Sequence, residues 1–398
     1  MDTSGNDATG APLVRIGFDG SQTGAAKAGC GYFAFSLADA LSRADPAVSL
    51  DVYTSFGDQF FDPATAQQCT LAAPNIHFPL RHRLVTEAAE FWNAPNLADA
   101  LGRPSVIHCN NFWCPDRRNI PGIPIVYTLY DLSFMIHPDW TTEANRLVCL
   151  TGMLRAAINA DFVVSISEAS RRDFLRHFPA FPADRVRVVY PASRFAQTTA
   201  SQQAPKSLSD IATTGFWLSV GTIEPRKNQR ALVEAYVRYR TRSSNPLPLV
   251  LAGGAGWKME TFRSELEQAG LGNSVRFTGY VSDAELAWLY SHCTANFYPS
   301  HFEGFGLPVL EGMTFGAPTV SSNQASLPEV CGDAAIQLSP ADIGGWAECM
   351  HLLERDTARR DGLRASAFKQ AAKFSWATTA AQVLDLYQQA IASVPHQR

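Results

Sequence analysis

Short apolar runs rich in β-branched residues recur along the chain, and longer stretches of helical periodicity lie between them. The runs at Val14–Phe18, Leu50–Thr54, Val106–Cys109, Ile125–Leu129, Phe162–Ser165 and Val186–Val189 are bounded by turn-forming residues, which predicts strands. Between them, Tyr32–Arg43 and Asn145–Asn159 carry helical patterning. After residue 214 the alternation restarts. Strands are expected at Phe216–Val220, Leu249–Ala252, Val275–Thr278, Ala295–Tyr298, Thr319–Ser321 and Ala335–Leu338. Helices are expected at Gln229–Thr241, Met259–Ala269, Asp283–Ser291, Pro308–Phe315, Ala341–Glu354 and Thr357–Lys373, with a last one over Ala377–Ala392. Such alternation specifies parallel sheets covered on both faces.

Two series of this kind in 398 residues imply two domains. The expected division is 1–195, a linker at 196–214, a second domain at 215–375 and a terminal helix in 376–398. The linker assignment rests on Thr198–Pro205, which is polar, small and without apolar period. Ligands of open α/β sheets bind outside the carboxyl ends of the strands, so the chemistry is expected in strand-following loops, at a cleft between two sheets.

Composition narrows the class. Hydrophobic residues at 46% and charged residues at 18% describe a globular chain. A net charge of −4 supplies no global field for nucleic acid. The eight cysteines are irregularly spaced and several lie in apolar runs, as reduced thiols of a cytoplasmic protein do. His108, Cys109 and Cys114 lack a second Cys or His pair at zinc-finger spacing, so they read as core residues. Met1–Ala11 has neither a basic nor an apolar region, and no secretory signal is expected. No run is long and apolar enough for a membrane span, which leaves peripheral contact with a membrane surface open.

The densest chemistry follows the strand ending at Tyr298. In His301-Phe302-Glu303-Gly304-Phe305-Gly306-Leu307-Pro308-Val309-Leu310-Glu311, Pro308 suits the first helical position and the glycines allow close backbone approach to a ligand. Amides at such a helix start favour phosphate. Glu303 and Glu311 bracket the turn, and carboxylates accept hydrogen bonds from sugar and ribose hydroxyls. A second cluster supplies cations: Gly221-Thr222-Ile223-Glu224-Pro225-Arg226-Lys227-Asn228 lies between a strand and a helix. Arg226 can grip two phosphate oxygens and Lys227 adds a compact charge.

Together these residues resemble glycosyltransferase family 4, which has the GT-B fold of two Rossmann-like domains facing across a cleft. The likeness is densest from Phe216 to Ser339. Glu303 to Glu311 matches the family's Glu-x7-Glu pattern, joined here to Gly-Phe-Gly-Leu-Pro, and Glu224–Asn228 is similar to the version in many bacterial mannosyltransferases. Leu251–Gly254, Phe277–Val281 and Leu327–Val330 also fit. The resemblance implies a retaining transferase that moves a hexose, with GDP-mannose as the expected donor, from a nucleotide diphosphate to a glycan or lipid-linked acceptor. It casts Arg226, Lys227 and Glu303 as catalytic. The cations and the turn Gly304-Phe305-Gly306-Leu307 would stabilise the departing diphosphate, Glu303 would contact the donor sugar, and Glu311 the ribose. Tyr280 and Val281 would lie at the base. Front-face attack with the diphosphate as base is expected, and a covalent Glu303 adduct is the less favoured alternative. Fixed donors aimed at the leaving group lower the barrier without a metal. No paired-Asp motif of metal-using transferases is apparent, and no cofactor is expected. The helix after Trp376 is expected to pack on the first domain, as in that fold.

In the first domain, Gly29-Cys30-Gly31-Tyr32 resembles the family's acceptor-side glycine loop. It also fits G-x-G-x-x-A through Ala34, but it stands too far from its strand for a dinucleotide fingerprint. Tyr130-Asp131-Leu132-Ser133-Phe134 resembles a segment that commonly reads His-Asp-Leu-Ser-Phe, with Tyr130 at the His position. Tyrosine keeps a hydrogen-bond donor and loses the imidazolium charge. Ser165–Glu168 with Arg171 and Arg172 resembles another family segment, and Ser167 reads equally as a helix cap. His137 and Asp139 are further candidates for the acceptor side. The competing functions are a same-fold nucleotide-sugar epimerase or phosphorylase, and an inactive nucleotide-sugar or glycan-binding protein.

Overall fold

The structure is a computed structural model that describes residues 14–24, 27, 29–58, 69–110, 112–196, 202–211, 214–257, 259 and 261–393. The stretch read for a secretory signal, Met1–Ala11, lies outside the described residues, as do residues 197–201 of the expected linker. The chain divides into two compact units. Unit one takes the chain up to Pro138, Glu143–Pro191 and everything from Trp376, and unit two takes Asp139–Thr142 and Ala192–Ser375.

Unit one is a parallel sheet in the order β3-β2-β1-β4-β5-β6-β7. Its strands are β1 (Val14–Asp19), β2 (Val48–Tyr53), β3 (Ile76–His77), β4 (Val106–Cys109), β5 (Ile125–Leu129), β6 (Phe162–Ser165) and β7 (Val186–Val188). Sequence patterning misses only β3, which is too short to show a period. Helices at Val85–Trp92 and Glu168–His177 are likewise additions. The helix Gly29–Ala44 starts three residues before its expected position, so Gly29 and Gly31 form its first turn. A Cβ on Gly31 would stand 2.2 Å from the Gln22 carbonyl oxygen, so only glycine lets the β1 loop cross there. Buried Asp51 on β2 is held by Arg15, whose Nη2 lies 2.6 Å away.

The terminal helix Trp376–Ser393 buries Val383, Leu386, Tyr387 and Ala390 and packs on Gly29–Ala44. Its Tyr387 hydroxyl meets Nδ1 of His108, and His108 Nε2 lies 2.6 Å from Thr128 Oγ1. Burial pushes the His108 pKa down to about 3, so the ring is neutral and donates from one nitrogen while accepting at the other.

Unit two repeats the plan with β8 (Trp217–Val220), β9 (Leu249–Ala252), β10 (Val275–Gly279), β11 (Ala295–Tyr298), β12 (Thr319–Ser322) and β13 (Ala335–Leu338), in the order β10-β9-β8-β11-β12-β13, all parallel. Successive side chains divide between two faces, as the strand period requires. Trp217, Leu251 and Phe297 enter one core with Trp346, whereas Phe216, Leu218 and Val250 enter the other with Trp288. The expected linker is partly absorbed here. Residues 202–211 group with unit two, and Leu208 and Ile211 join the core of Phe216 because they are the segment's apolar side chains.

Replacing Tyr387 with phenylalanine leaves His108 buried with one ring nitrogen unpaired. The unfolding free energy should fall by about 1–3 kcal/mol in urea titration, and an unchanged midpoint would contradict a structural hydrogen bond.

Candidate active site

The strand order of unit two reverses between β8 and β11, which splays the two loops that follow them and opens a crevice at their carboxyl ends. Both motifs singled out from the sequence lie there. After β8, Pro225–Lys227 forms a single 3-10 turn, closed by Asn228 in the left-handed region (φ 59°), which then opens the helix Gln229–Arg240. Asn228 Nδ2 donates to the carbonyls of Pro299 (3.1 Å) and Pro340 (3.0 Å), and the His301 amide donates to the Arg226 carbonyl (2.9 Å). These bonds fasten the β8 loop to the β11 loop and to the segment after β13.

The β11 loop is braced from beneath. Ser326 Oγ lies 2.8 Å from the carbonyl oxygens of both Glu303 and Phe305, and Ser322 Oγ donates to the Ser300 carbonyl (2.6 Å). Gly306 has φ 107°, and a Cβ there would lie 2.6 Å from Leu327 Cδ2. The helix Leu307–Thr314 then begins, with Pro308 as its second residue, one place later than expected. That position still wastes no intrahelical hydrogen bond, because the first turn's amides have no carbonyl before them.

These elements bring Arg226, Lys227 and Glu303 together. Lys227 Nζ is 2.7 Å from Glu303 Oε1 and 2.8 Å from the Tyr298 hydroxyl, while Arg226 Nη1 is 3.1 Å from Glu303 Oε2. Ser300 Oγ donates to Glu303 Oε1. Arg226 Nη2 reaches Glu224 Oε1 at 2.9 Å. Burial alone would raise the Glu303 carboxyl, but the charges of Lys227 and Arg226, with hydrogen bonds from Lys227 and Ser300, override it and hold its pKa at about 2. Burial lowers the Lys227 pKa, an effect opposed by the Glu303 charge. The cluster therefore pairs two cations with two carboxylates. Its capacity to bind an anion comes from donors held at fixed positions, not from surplus charge.

Glu311 sits in a separate arrangement. Arg194 Nε lies 3.1 Å from its Oε1, the Tyr290 hydroxyl 3.4 Å from its Oε2, and Arg194 Nη1 also reaches Asp283 at 3.3 Å. Here burial prevails over the Arg194 charge, and the Glu311 pKa rises to about 7. Tyr280 and Val281 follow β10, on the sheet edge two strands from β8, and the Tyr280 side chain is exposed. Gly304, Phe305 and Leu307 occupy the turn between Glu303 and Glu311. Among the described residues, no group of three or more His, Cys, Asp or Glu could hold a metal ion.

Gly29, Gly31, Tyr130 and Asp131 belong to unit one. The Tyr130 hydroxyl donates to the Cys30 carbonyl at 3.1 Å, and its ring stands edge-on to Phe33, so this tyrosine braces the glycine turn. Asp131 Oδ1 accepts from the Ser133 amide (2.8 Å) and hydroxyl (2.6 Å). Ser167 caps the helix Glu168–His177 through the Ser170 amide, which agrees with the capping reading. Sequence reasoning missed Arg194, Tyr290, Tyr298 and Ser300, and gave Glu224 no role. Tyr298 and Ser300 immediately precede the His301–Glu311 segment, whereas Tyr290 comes from the helix Asp283–His292 and Arg194 from a loop far away in the chain.

The comparisons with known proteins agree with this geometry. Two parallel α/β units with a candidate site at the second unit's switch point match the GT-B architecture. Among solved structures, sucrose-phosphate synthase from Thermosynechococcus elongatus superposes with a TM-score of 0.71 at 20% identity over 96% of this chain and all of that one. The Anabaena protein Alr3699/HepE in complex with UDP and glucose gives 0.69 at 17% identity over 94% and 100%. Residues 28–192 match the family model "Glycosyltransferase Family 4", and residues 202–371 match "Glycosyl transferases group 1". O-antigen chain mannosyltransferase B of Escherichia coli is 30% identical over 372 residues, covering 90% of this chain and 95% of that protein. The serotype-specific mannosyltransferase WbdA of Escherichia coli is 36% identical over 231 residues, 56% of this chain and 28% of its own length. The chain belongs to glycosyltransferase family 4.

The raised Glu311 pKa has a measurable consequence. Between about pH 4.5 and 7 the folded protein keeps a proton that the unfolded chain has lost, so rising pH favours unfolding. Glu311→Gln removes this titration. Relative to that variant, the wild type should lose about 2–3 kcal/mol of stability between roughly pH 5 and 8 in urea unfolding. Parallel pH profiles would contradict the raised value.

Proposed function

We propose that this chain is a metal-independent, retaining mannosyltransferase that moves mannose from GDP-mannose to a growing glycan, carried on a lipid-linked acceptor, with peripheral contact at the membrane surface. The observation that carries the reading is the buried cluster of Arg226, Lys227 and Glu303 beside the helix start at Leu307. The similarity to O-antigen chain mannosyltransferase B along nearly the whole chain supports mannose as the transferred sugar.

In this reading the donor diphosphate lies between the two cations and the amides of the Gly304–Leu307 turn. The glycosidic bond breaks with its electron pair going to the diphosphate oxygen, where negative charge accumulates. Lys227 and Arg226 meet that charge without reorganising, because Glu303, Tyr298 and Glu224 already hold them in place. The acceptor hydroxyl attacks the face the diphosphate leaves, gives its proton to the diphosphate, and so preserves the anomeric configuration. Glu303, ionised throughout the neutral range, faces the sugar. Glu311 takes the ribose and Tyr280 with Val281 the base, while Gly29, Gly31, Tyr130 and Asp131 serve the acceptor side.

Lys227→Ala should lower kcat/KM for GDP-mannose roughly 10²–10³-fold in an assay of GDP release with acceptor present, while Glu224, Glu303 and Arg226 stay in place. Unchanged turnover would remove Lys227 from the mechanism. GDP-mannose should raise the melting temperature more than UDP-glucose does, and the reverse order would reassign the donor. Sugar isomerisation without acceptor would instead identify an epimerase.

A further inference from the structure

Four residues group apart from the chain on either side of them. Asp139–Thr142 belongs to unit two, whereas Pro138 and Glu143 belong to unit one. The segment turns through a 3-10 helix at Pro138–Trp140 and runs into the helix Glu143–Asn159. Ordering such a segment costs conformational entropy, and little is buried in return: Asp139 and Thr142 are exposed and Trp140 is half-buried. Sequence patterning draws attention to His137 and Asp139 here. The large side chain that the segment delivers to unit two is the indole of Trp140.

That indole stands beside the charged cluster. It lies over the His301 imidazole with ring centroids 5.8 Å apart and planes inclined by 22°, an offset stack. The indole N–H of Trp257 donates to the Trp140 carbonyl. Both partners sit in loops that hold Arg226. On the His301 side, the His301 amide donates to the Arg226 carbonyl (2.9 Å), and Arg226 Nη1 donates in turn to the Phe302 carbonyl (3.1 Å). On the other side, Trp257 stands in the loop after β9, which is zipped to the β8 loop. There the Ile223 amide donates to the Gly254 carbonyl (3.0 Å) and the Gly256 amide to the Ile223 carbonyl (3.2 Å). The residue after Ile223 is Glu224, which accepts from Arg226 Nη2. The contacts therefore close a ring. It runs from Arg226 through Glu224 and Ile223 to the β9 loop, then through Trp257, Trp140 and His301 back to Arg226.

We propose that Trp140 is a positioning residue for sugar transfer: stacked on His301 and held by Trp257, it locks the β11 loop so that Arg226 and Glu303 keep the geometry a departing diphosphate requires. It acts through His301, whose amide holds the Arg226 backbone, and not by touching the reacting atoms. A β11 loop that loses this brace still offers Lys227 and the Gly304–Leu307 amides to a nucleotide, so binding survives. The guanidinium then meets the developing charge off its optimum, and the rate falls, because fixed donors stabilise a leaving group only while they stay aimed at it. This role rests on the reading of Arg226 and Glu303 given above.

The test combines kinetics, nucleotide binding and amide exchange on the full-length protein. Trp140→Ala should lower kcat for GDP release from GDP-mannose roughly 10–100-fold, with water or methyl α-mannoside as the acceptor. The dissociation constant for GDP, read by calorimetry, should change less than about threefold. Trp140→Phe keeps an aromatic face on His301 and should restore most of the rate. Trp257→Phe removes the hydrogen bond to the Trp140 carbonyl and should cost less than Trp140→Ala. Added to Trp140→Ala it should cost nothing more, because both changes break one ring of contacts. Exchange of the His301 amide with deuterium needs no substrate, and it should be roughly tenfold faster in Trp140→Ala. Should Trp140→Ala fail to fold, Trp140→Leu keeps apolar volume without the ring and carries the same expectations. An unchanged kcat, a loss confined to GDP binding, failure of phenylalanine to restore the rate, or unaltered exchange at His301 each overturns the proposal. Lys227→Ala separates this role from the reading beneath it. If both Lys227→Ala and Trp140→Ala turn over like the wild type, the cluster is not the site. If Lys227→Ala alone is impaired, Trp140 alone loses its role.

Discussion

A buried carboxylate is the constraint around which the site of unit two is organised. Glu303 is almost fully withdrawn from water, and an unpaired charge in that position would cost several kcal/mol. It is tolerated because Lys227, Arg226 and Ser300 all direct donors at it. That requirement fixes the β8 loop against the β11 loop, and it explains the left-handed Asn228 and its two bonds to neighbouring carbonyls. The cations that would meet a departing diphosphate are positioned before any ligand arrives. Their geometry is set by the protein's own need to neutralise Glu303.

The two acids of the Glu-x7-Glu segment show how neighbouring groups diverge. Both are about equally buried, yet one is driven to a pKa of about 2 and the other to about 7. The difference lies in the cations each faces. Glu303 has two at hydrogen-bond distance, whereas Glu311 has only Arg194, which Asp283 also engages. Glu303 is thus held ionised, whereas the Glu311 carboxyl is held back from ionising by its burial. A carboxylate that accepts hydrogen bonds from ligand hydroxyls regains on binding what burial took from it. This difference in ionisation cannot be read from the motif, because the cations that cause it lie elsewhere in the chain.

Most of the sheet architecture could be read from the chain because each strand is a short apolar run and each covering helix a longer amphipathic one. β3 escaped, since two residues carry no period, and Leu208 and Ile211 were lost in a segment whose composition reads as linker. Within the site, the charged loop residues were legible because they stand in Gly- and Pro-bearing segments between a strand and a helix that resemble a family's motifs. Tyr298 and Ser300 were not, because a tyrosine ending a strand and a serine in a turn have many ordinary explanations. Arg194 lies far from Glu311 along the chain, and no local pattern links them. Tyr130 shows the converse limit. It stands at the His position of a family motif, and its hydroxyl bonds the glycine turn beside it, a contact 100 residues away in the chain that no local pattern announces.

The helix Glu143–Asn159 carries that limit further. Apolar side chains on all sides of a helix normally indicate burial on all sides. Here the periodicity is blurred because Met153 and Ala156 point into the core while Leu147, Leu154 and Ile158 point out. Folding accounts for the first set only. The core of unit one is closed without the second set, and polar residues at those three positions would serve folding equally well. The weak amphipathicity of this helix in the sequence therefore records one face that the core of unit one uses and one that it does not.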